Sequence, residues 1–266
     1  MRYLLSVFLV VGLLGLWGGA VRVEAQNLEL VKPGELSAAT EGTYPPFSMV
    51  DANGNLQGLE IGVIKEVSKR LKLEYKPVLM KWESILVGLF ADQYDLSTAA
   101  MDITEERQKQ ILFSNGWLES GGKLVVRKDS PIQKVSDIKG KVVGCLVAST
   151  WAKIAEGLGA KEVKLYKAES DALQDLANKN IDGVVTEAIA AGYAIQNTKL
   201  PLRALDEYLS RIQKGFAFKK NKVNLVKAVN KALEDMNKDG TYGKITTGLV
   251  GFNPYPKEPI KSIFSQ

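Results

Sequence analysis

The chain opens on one long apolar run and then alternates short apolar stretches with longer amphipathic ones. Tyr3 through Trp17 is almost continuously apolar, preceded by Arg2 and followed by Val23-Glu24-Ala25. A positive start, an apolar centre and small residues before Gln26 predict a cleavable export signal over residues 1–25. The run is too short for a comfortable membrane span, and no second such run follows. From about residue 34 the pattern changes. Glu35–Thr40, Tyr75–Met80 and Leu96–Met101 read as strands. Between them, Gly58–Leu71 reads as a helix, because Ile61, Ile64, Val67 and Leu71 recur at helical spacing. Trp82–Ala91 reads as another, with Ile85, Leu86 and Leu89 inward. Thr104 opens a short helix whose first turn carries Glu105 and Glu106, where the macrodipole favours acids.

A second alternating set begins after the polar stretch Glu119-Ser120-Gly121-Gly122, which reads as a flexible junction. Its strands are Lys123–Arg127, Lys141–Leu146, Glu162–Tyr166 and Asp182–Thr186. Its helices are Thr150–Leu158, Asp171–Lys179 and Ala188–Gln196. Gly215–Phe218 is a further short strand, and the tail is helical, with Val223, Val226, Val229, Leu233 and Met236 in one stripe. Strands alternating with helices predict parallel sheets flanked by helices. Two sets predict two α/β lobes. Chain crossings near Gly121 and Gly215 would join them by a two-strand hinge and leave the first lobe discontinuous. The expected division is residues 26–121 with 215–266 for one lobe and 122–214 for the other.

Composition removes several function classes. The 266 residues include no histidine, which excludes His-based triads, His-ligated zinc and the usual general base near neutral pH. The one cysteine, Cys145, lies in the apolar run Val142–Leu146 and reads as a buried strand residue; it has no partner for a disulfide and no imidazole to activate it. The net charge of +5 comes from Lys and Arg spread among acids, without a basic block, so no nucleic-acid partner is expected. Loss of residues 1–25 removes two cations and one anion, taking +5 to +4. The mature protein is expected to be soluble, periplasmic, monomeric and free of cofactor or metal.

Several segments together resemble the polar amino-acid solute-binding proteins of ABC importers, bacterial extracellular solute-binding protein family 3. They are Thr40-Glu41-Gly42-Thr43-Tyr44-Pro45-Pro46-Phe47, then Gly58-Leu59-Glu60, Tyr94-Asp95, Met101-Asp102-Ile103-Thr104-Glu105-Glu106-Arg107, Phe113-Ser114, Lys139–Gly144 and Asp239-Gly240-Thr241-Tyr242. Each is weak alone, but their order and spacing are specific, and the likeness runs from about Gly34 to Tyr255. It implies a two-lobed periplasmic-binding-protein type II fold with a two-strand hinge and a ligand in the cleft. It also implies a membrane ABC permease as partner, and a tail that returns to the first lobe.

A free amino acid brings an ammonium and a carboxylate, and a water-poor cleft must pair both. Arg107 is the candidate for the carboxylate, since a guanidinium holds two oxygens in parallel; the matching family residue does so. Ala100 and Asp102 match positions that offer backbone N–H groups to the ligand, but the second is usually Ser or Thr. Asp102 would either orient Arg107 or meet a cationic group of the ligand. Glu187, where the family usually has Asp, is the candidate for the ammonium. Ser149 and Thr150 stand at a strand-to-helix junction suited to an anion. Tyr44 and Trp82 are expected walls, and Trp151 is either a third wall or helix core. Glu41 matches a position that reaches a side-chain end, and with Trp82 and Asp102 it inclines the expected ligand toward arginine, lysine or glutamine.

Two alternatives remain at this level. The first is a cyclohexadienyl dehydratase-like enzyme on the same fold, suggested by Thr186-Glu187-Ala188-Ile189. Its catalytic glutamate would align with Ala190, which has no proton to give. The second is a non-transport sensory module, against which stands the lack of a membrane or signalling segment after residue 266.

Overall fold

The computed structural model describes residues 27–263; the expected export signal lies outside them. The chain runs β1 (Glu35–Thr40), β2 (Thr43–Tyr44), β3 (Ser48–Val50), β4 (Leu56–Gln57), α1 (Leu59–Arg70), β5 (Glu74–Leu79), α2 (Ile85–Phe90), β6 (Leu96–Ser97), α3 (Glu105–Gln108) and β7 (Leu112–Phe113). It continues with β8 (Leu118–Arg127), β9 (Val142–Leu146), α4 (Thr150–Gly157), β10 (Glu162–Tyr166), α5 (Glu169–Ala177), β11 (Gly183–Glu187), α6 (Ala188–Asn197), β12 (Leu202–Lys214), β13 (Ala217–Phe218), α7 (Val223–Lys238) and α8 (Thr241–Val250).

Two five-stranded sheets form, one per lobe. The first has the order β5-β1-β6-β13-β7 and the second β10-β9-β11-β8-β12. The parallel expectation holds where strands alternate with helices: β1 lies parallel to β5 and β6, and β9 parallel to β10 and β11. Strands that carry the chain between sheets pair antiparallel, β13 with β6 and β7, and β8 with β11 and β12. The sheets are therefore mixed.

Amphipathic helices close each sheet. Val63, Ile64 and Val67 of α1 pack with Leu36 and Ala38 of β1 and with Val226, Val229, Leu233 and Met236 of α7, so the tail completes the first lobe's core. Each such buried side chain contributes about 1.5–3 kcal/mol. Arg70 holds the tail in place, its Nη2 donating to Asp239 at 2.8 Å and to Thr241 at 3.2 Å. In the second lobe Val143 and Cys145 pack against Trp151, Ala155 and Val185. Burial pushes the Cys145 thiol up to about 11, as suits a packing residue.

Only β8 and β12 run from the second sheet toward the first. Leu118 pairs with Lys214, Ser120 with Ile212, Gly121 with Arg211 and Gly122 with Ser210. The stretch Glu119–Gly122 is thus strand, not a flexible junction. Its glycines answer to crowding: a Cβ on Gly121 would sit 2.0 Å from the Ser210 carbonyl oxygen, and one on Gly122 would sit 3.0 Å from the Trp151 ring. The C-terminal segment braces this pair. The Ile260 carbonyl accepts from Gly116 N–H, the Pro254 carbonyl accepts from Glu119 N–H, and Gln213 bonds Ile260 N–H and the Glu258 carbonyl.

Two further departures matter for the site. The strand expected over Leu96–Met101 ends at Ser97, and the chain then turns through Ala100 at φ 42° toward the cleft. The thirteen-residue β12 was not expected, because irregularities between Ala204 and Tyr208, and again between Tyr208 and Ser210, break its period-two pattern.

The crowding at Gly121 predicts that Gly121→Ala destabilises the fold by roughly 1–3 kcal/mol in urea unfolding. Gly192→Ala, in α6 with nothing within 4 Å of the added Cβ, should be neutral or stabilising by up to about 1 kcal/mol.

Candidate ligand-binding cleft

The loops leaving β1 and β6 face the start of α4 across the gap between the sheets. They enclose a cavity of about 20 Å³. Glu41, Tyr44, Trp82, Ala100 and Asp102 line it from the first lobe. Ser149, Thr150 and Trp151 line it from the second, with Lys214 from the end of β12. A larger cavity of about 580 Å³ shares Ser149 and Thr150 as walls and has Arg107 and Ala148 on its lining. Glu187 lines neither cavity. It is fully buried behind them, near enough to Lys214, Asp102 and Tyr44 to interact by charge.

Local sequence explains how each group is held. Thr104 caps α3, its Oγ1 accepting from Arg107 N–H at 3.2 Å, so α3 starts where its capping residue predicts. The helix is one turn long and aims Arg107 back into the cleft. There the guanidinium lies 5.4 Å from the Trp82 ring centroid and donates to the Asp102 carbonyl at 3.1 Å. Burial favours its neutral form and lowers its pKa, opposed by the charges of Asp102 and Glu106. The Trp82 Nε1 is buried with no acceptor in the protein. The Ala100 N–H is directed at the Thr98 carbonyl.

The second lobe supplies the opposite edge. Ser149 occupies the N-cap position of α4, yet its hydroxyl donates to the Leu146 carbonyl at 2.5 Å, so no side chain caps the helix amides. Ala148 before it has φ 55°, a strained value for a residue with a Cβ. Thr150 reaches across the gap and donates to the Asp102 carboxylate. Glu187 is the N-cap of α6. Its Oε2 accepts from Ala190 N–H at 2.7 Å, and its Oε1 is buried without a well-formed hydrogen bond, though the Ser120 hydroxyl is near enough to favour the charged form. Burial raises its pKa, and the charge of Lys214 opposes that rise. Ala190, where the dehydratase alternative would need a glutamate, is a buried residue in the first turn of α6.

Tyr44 stacks on Phe47 with ring centroids 5.2 Å apart. Burial raises its pKa well above the ordinary phenol value, and the acids Glu169, Glu187, Asp102 and Glu41 add to the rise. Burial pushes Glu41 up to about 7, helped by the nearby charge of Glu83. It pushes Glu169 up to about 8, helped by Glu187 and opposed by a hydrogen bond with Thr186.

Two residues escaped the sequence reading. Glu169 opens α5, two residues before the helix start expected at Asp171; a single acid there carries no distinguishing pattern. Lys214 is the more consequential. Its side chain is 2% exposed, and its Nζ donates to Asp102 Oδ1 at 2.7 Å. The Phe47 and Trp151 ring centroids each lie 5.6 Å from the ammonium. The available signal was Lys at the end of a strand next to Gly215, in a chain where Lys222 is the other lysine that is buried.

Comparison with known proteins agrees with this fold. The bacterial extracellular solute-binding proteins, family 3, match residues 36–251. The L-cystine-binding protein TcyJ of Escherichia coli (strain K12) is 32% identical over 211 residues, 78% of this chain and 79% of its own length. The structure of an ancestral arginine-binding protein bound to glutamine superposes with a TM-score of 0.78 at 37% identity, covering 83% of this chain and 99% of that one. The ancestral amino acid-binding protein AncCDT-1, a precursor of cyclohexadienyl dehydratase, gives a TM-score of 0.77 at 28% identity, covering 82% and 96%.

The raised carboxyls set the pH dependence of stability. Between about pH 4.5 and 8 the unfolded chain has released the Glu169 proton while the folded protein still holds it, so stability falls as pH rises through that window. Glu41 adds a fall ending near 7. Melting temperature should therefore decline from pH 5 to pH 8, and the decline should be shallower in Glu169→Gln.

Proposed function

We propose that this chain, which belongs to family 3 of the bacterial extracellular solute-binding proteins, captures a free polar amino acid by cleft closure and delivers it to a membrane ABC importer. The observation that carries the reading is a complementary pair of ends. Arg107 stands on the first lobe with its guanidinium against Trp82, and Glu187 stands on the second with one buried oxygen left without a well-formed partner. A zwitterion laid between them gives its carboxylate to the cation and its ammonium to the free oxygen. The uncapped amides at the start of α4 and the unpartnered Trp82 Nε1 add donors for carboxylate or side-chain oxygens. All these groups are already positioned by helix starts and packing, so little ordering is needed on binding.

A cavity of about 20 Å³ has room for about one water and not for an amino acid, which enters only when the lobes part. We take the lobes as 26–121 with 215–266 and 122–214, turning about the paired segments of β8 and β12. On closure Thr150 meets Asp102 and Lys153 meets Glu106, contacts that join the lobes directly. The second of these pairs is exposed and contributes little. Closure excludes water and strengthens every polar contact inside. Export with cleavage after Ala25, and a periplasmic location, complete the reading. The relatives it matches are named as binding proteins rather than enzymes, in line with alanine at position 190.

A thermal-shift screen of refolded protein against the common amino acids should find at least one that raises the melting temperature. Arg107→Ala should abolish that rise, and Arg107→Lys should lose most of it, because a point ammonium does not make the bidentate pair. Full stabilisation in Arg107→Ala would sink the assignment. Glu187→Gln should weaken binding by roughly tenfold to a hundredfold, the equivalent of about 1.4–3 kcal/mol for a charged hydrogen bond.

A further inference from the structure

The buried lysine at the end of β12 is a permanent cation inside the proposed site. Its backbone is fixed by the crossing: Lys214 pairs with Leu118, bridges Asp102, and accepts from Trp117 N–H at 3.0 Å. Its ammonium has one acceptor, Asp102 Oδ1, and otherwise faces the Phe47 and Trp151 rings. Among the described residues Asp102 is the only acid lining the inner cavity besides Glu41. Its two oxygens are taken, one by Lys214 and the other by Thr150. Asp102 thus has an internal partner; its hydrogen bond with Arg107 runs through the backbone carbonyl, and its charge supports the guanidinium from nearby.

We infer that Lys214 is the specificity-determining residue of this cleft, and that by occupying Asp102 it selects amino acids with an uncharged polar side chain over basic ones. The inference rests on the amino-acid reading above. The charges balance without further help: Arg107 answers a ligand carboxylate, Glu187 answers its ammonium, and Lys214 answers Asp102. A basic side chain would bring a fourth cation, without an acid to pair it, near the Lys214 ammonium. The other acid on the inner cavity is Glu41, which burial pushes up to about 7, so that near neutrality about half of it keeps its proton; Glu106 lines the outer cavity and is engaged by Lys153. A protonated Glu41 carboxyl donates and accepts, which suits an amide or hydroxyl. The unused hydrogens of the Lys214 ammonium are further donors for a carbonyl oxygen.

The test is a titration of refolded protein with glutamine, asparagine, serine and threonine on one side and arginine, lysine and ornithine on the other, read by calorimetry. The wild type should bind its best uncharged ligand at least tenfold more tightly than any basic one; this ranking requires no variant. Lys214→Met, which frees Asp102, should shift the ratio at least tenfold toward the basic ligands. Lys214→Arg should keep the wild-type order. Lys214→Met combined with Asp102→Asn, which removes both charges, should not gain basic ligands. A wild type that prefers arginine, lysine or ornithine overturns the inference and leaves the amino-acid reading standing, as does an unchanged ratio in Lys214→Met. A wild type that binds no amino acid at all overturns both. If Lys214→Met does not fold, the double variant and the wild-type ranking still decide the matter.

Discussion

Everything in this protein hangs on the antiparallel pairing of two strands, β8 and β12, where they leave the second sheet. Backbone hydrogen bonds along Leu118–Gly122 and Ser210–Lys214 connect the two lobes. The pairing needs close approach, and Gly121 and Gly122 permit it by leaving no Cβ between the strand, the Ser210 carbonyl and the Trp151 ring. The C-terminal segment bonds to both crossing strands through Ile260, Pro254 and Glu258. A crossing held from three sides bends as a unit, which suits a hinge that must close to one geometry.

The same pairing decides the electrostatics of the cleft. Register places Lys214 opposite Leu118 and beside Asp102, so a cation enters the interior on the backbone of the hinge itself. A buried ammonium and carboxylate are each expensive to desolvate, and together they are tolerable because they pair at 2.7 Å. Removal of one partner alone leaves an uncompensated buried charge, typically worth about 3–5 kcal/mol. The pair also links hinge and site, since Thr150 of the second lobe completes the hydrogen bonding of Asp102. Opening the cleft takes that hydroxyl away while Lys214 remains.

Burial governs the state of the glutamates at and around the cleft. Glu41, Glu60 and Glu169 are all pushed to between about 7 and about 8, because a water-poor site disfavours charge. Glu187 differs in having the charge of Lys214 nearby, which opposes the rise that its burial causes. One acid in the group is thereby supported as the partner of an ammonium.

Periodicity alone determined the α/β alternation, the helix faces and most strand positions, because apolar spacing reflects which face each element must bury. The stripe from Val226 to Met236 and the buried Cys145 were legible for that reason. The cap at Thr104 was legible because helix starts are local chemistry. The cleft residues were found through ordered motifs, and Glu41, Tyr44, Trp82, Ala100, Asp102, Ser149 and Thr150 do meet around one cavity. Only the tertiary structure decided the mixed sheets, the strand nature of Glu119–Gly122, and β12, whose bulges hide it from any period-two reading. It alone revealed the partner of Asp102. Lys214 lies 112 residues away in sequence, and strand register across a hinge, a long-range property, brings the two together.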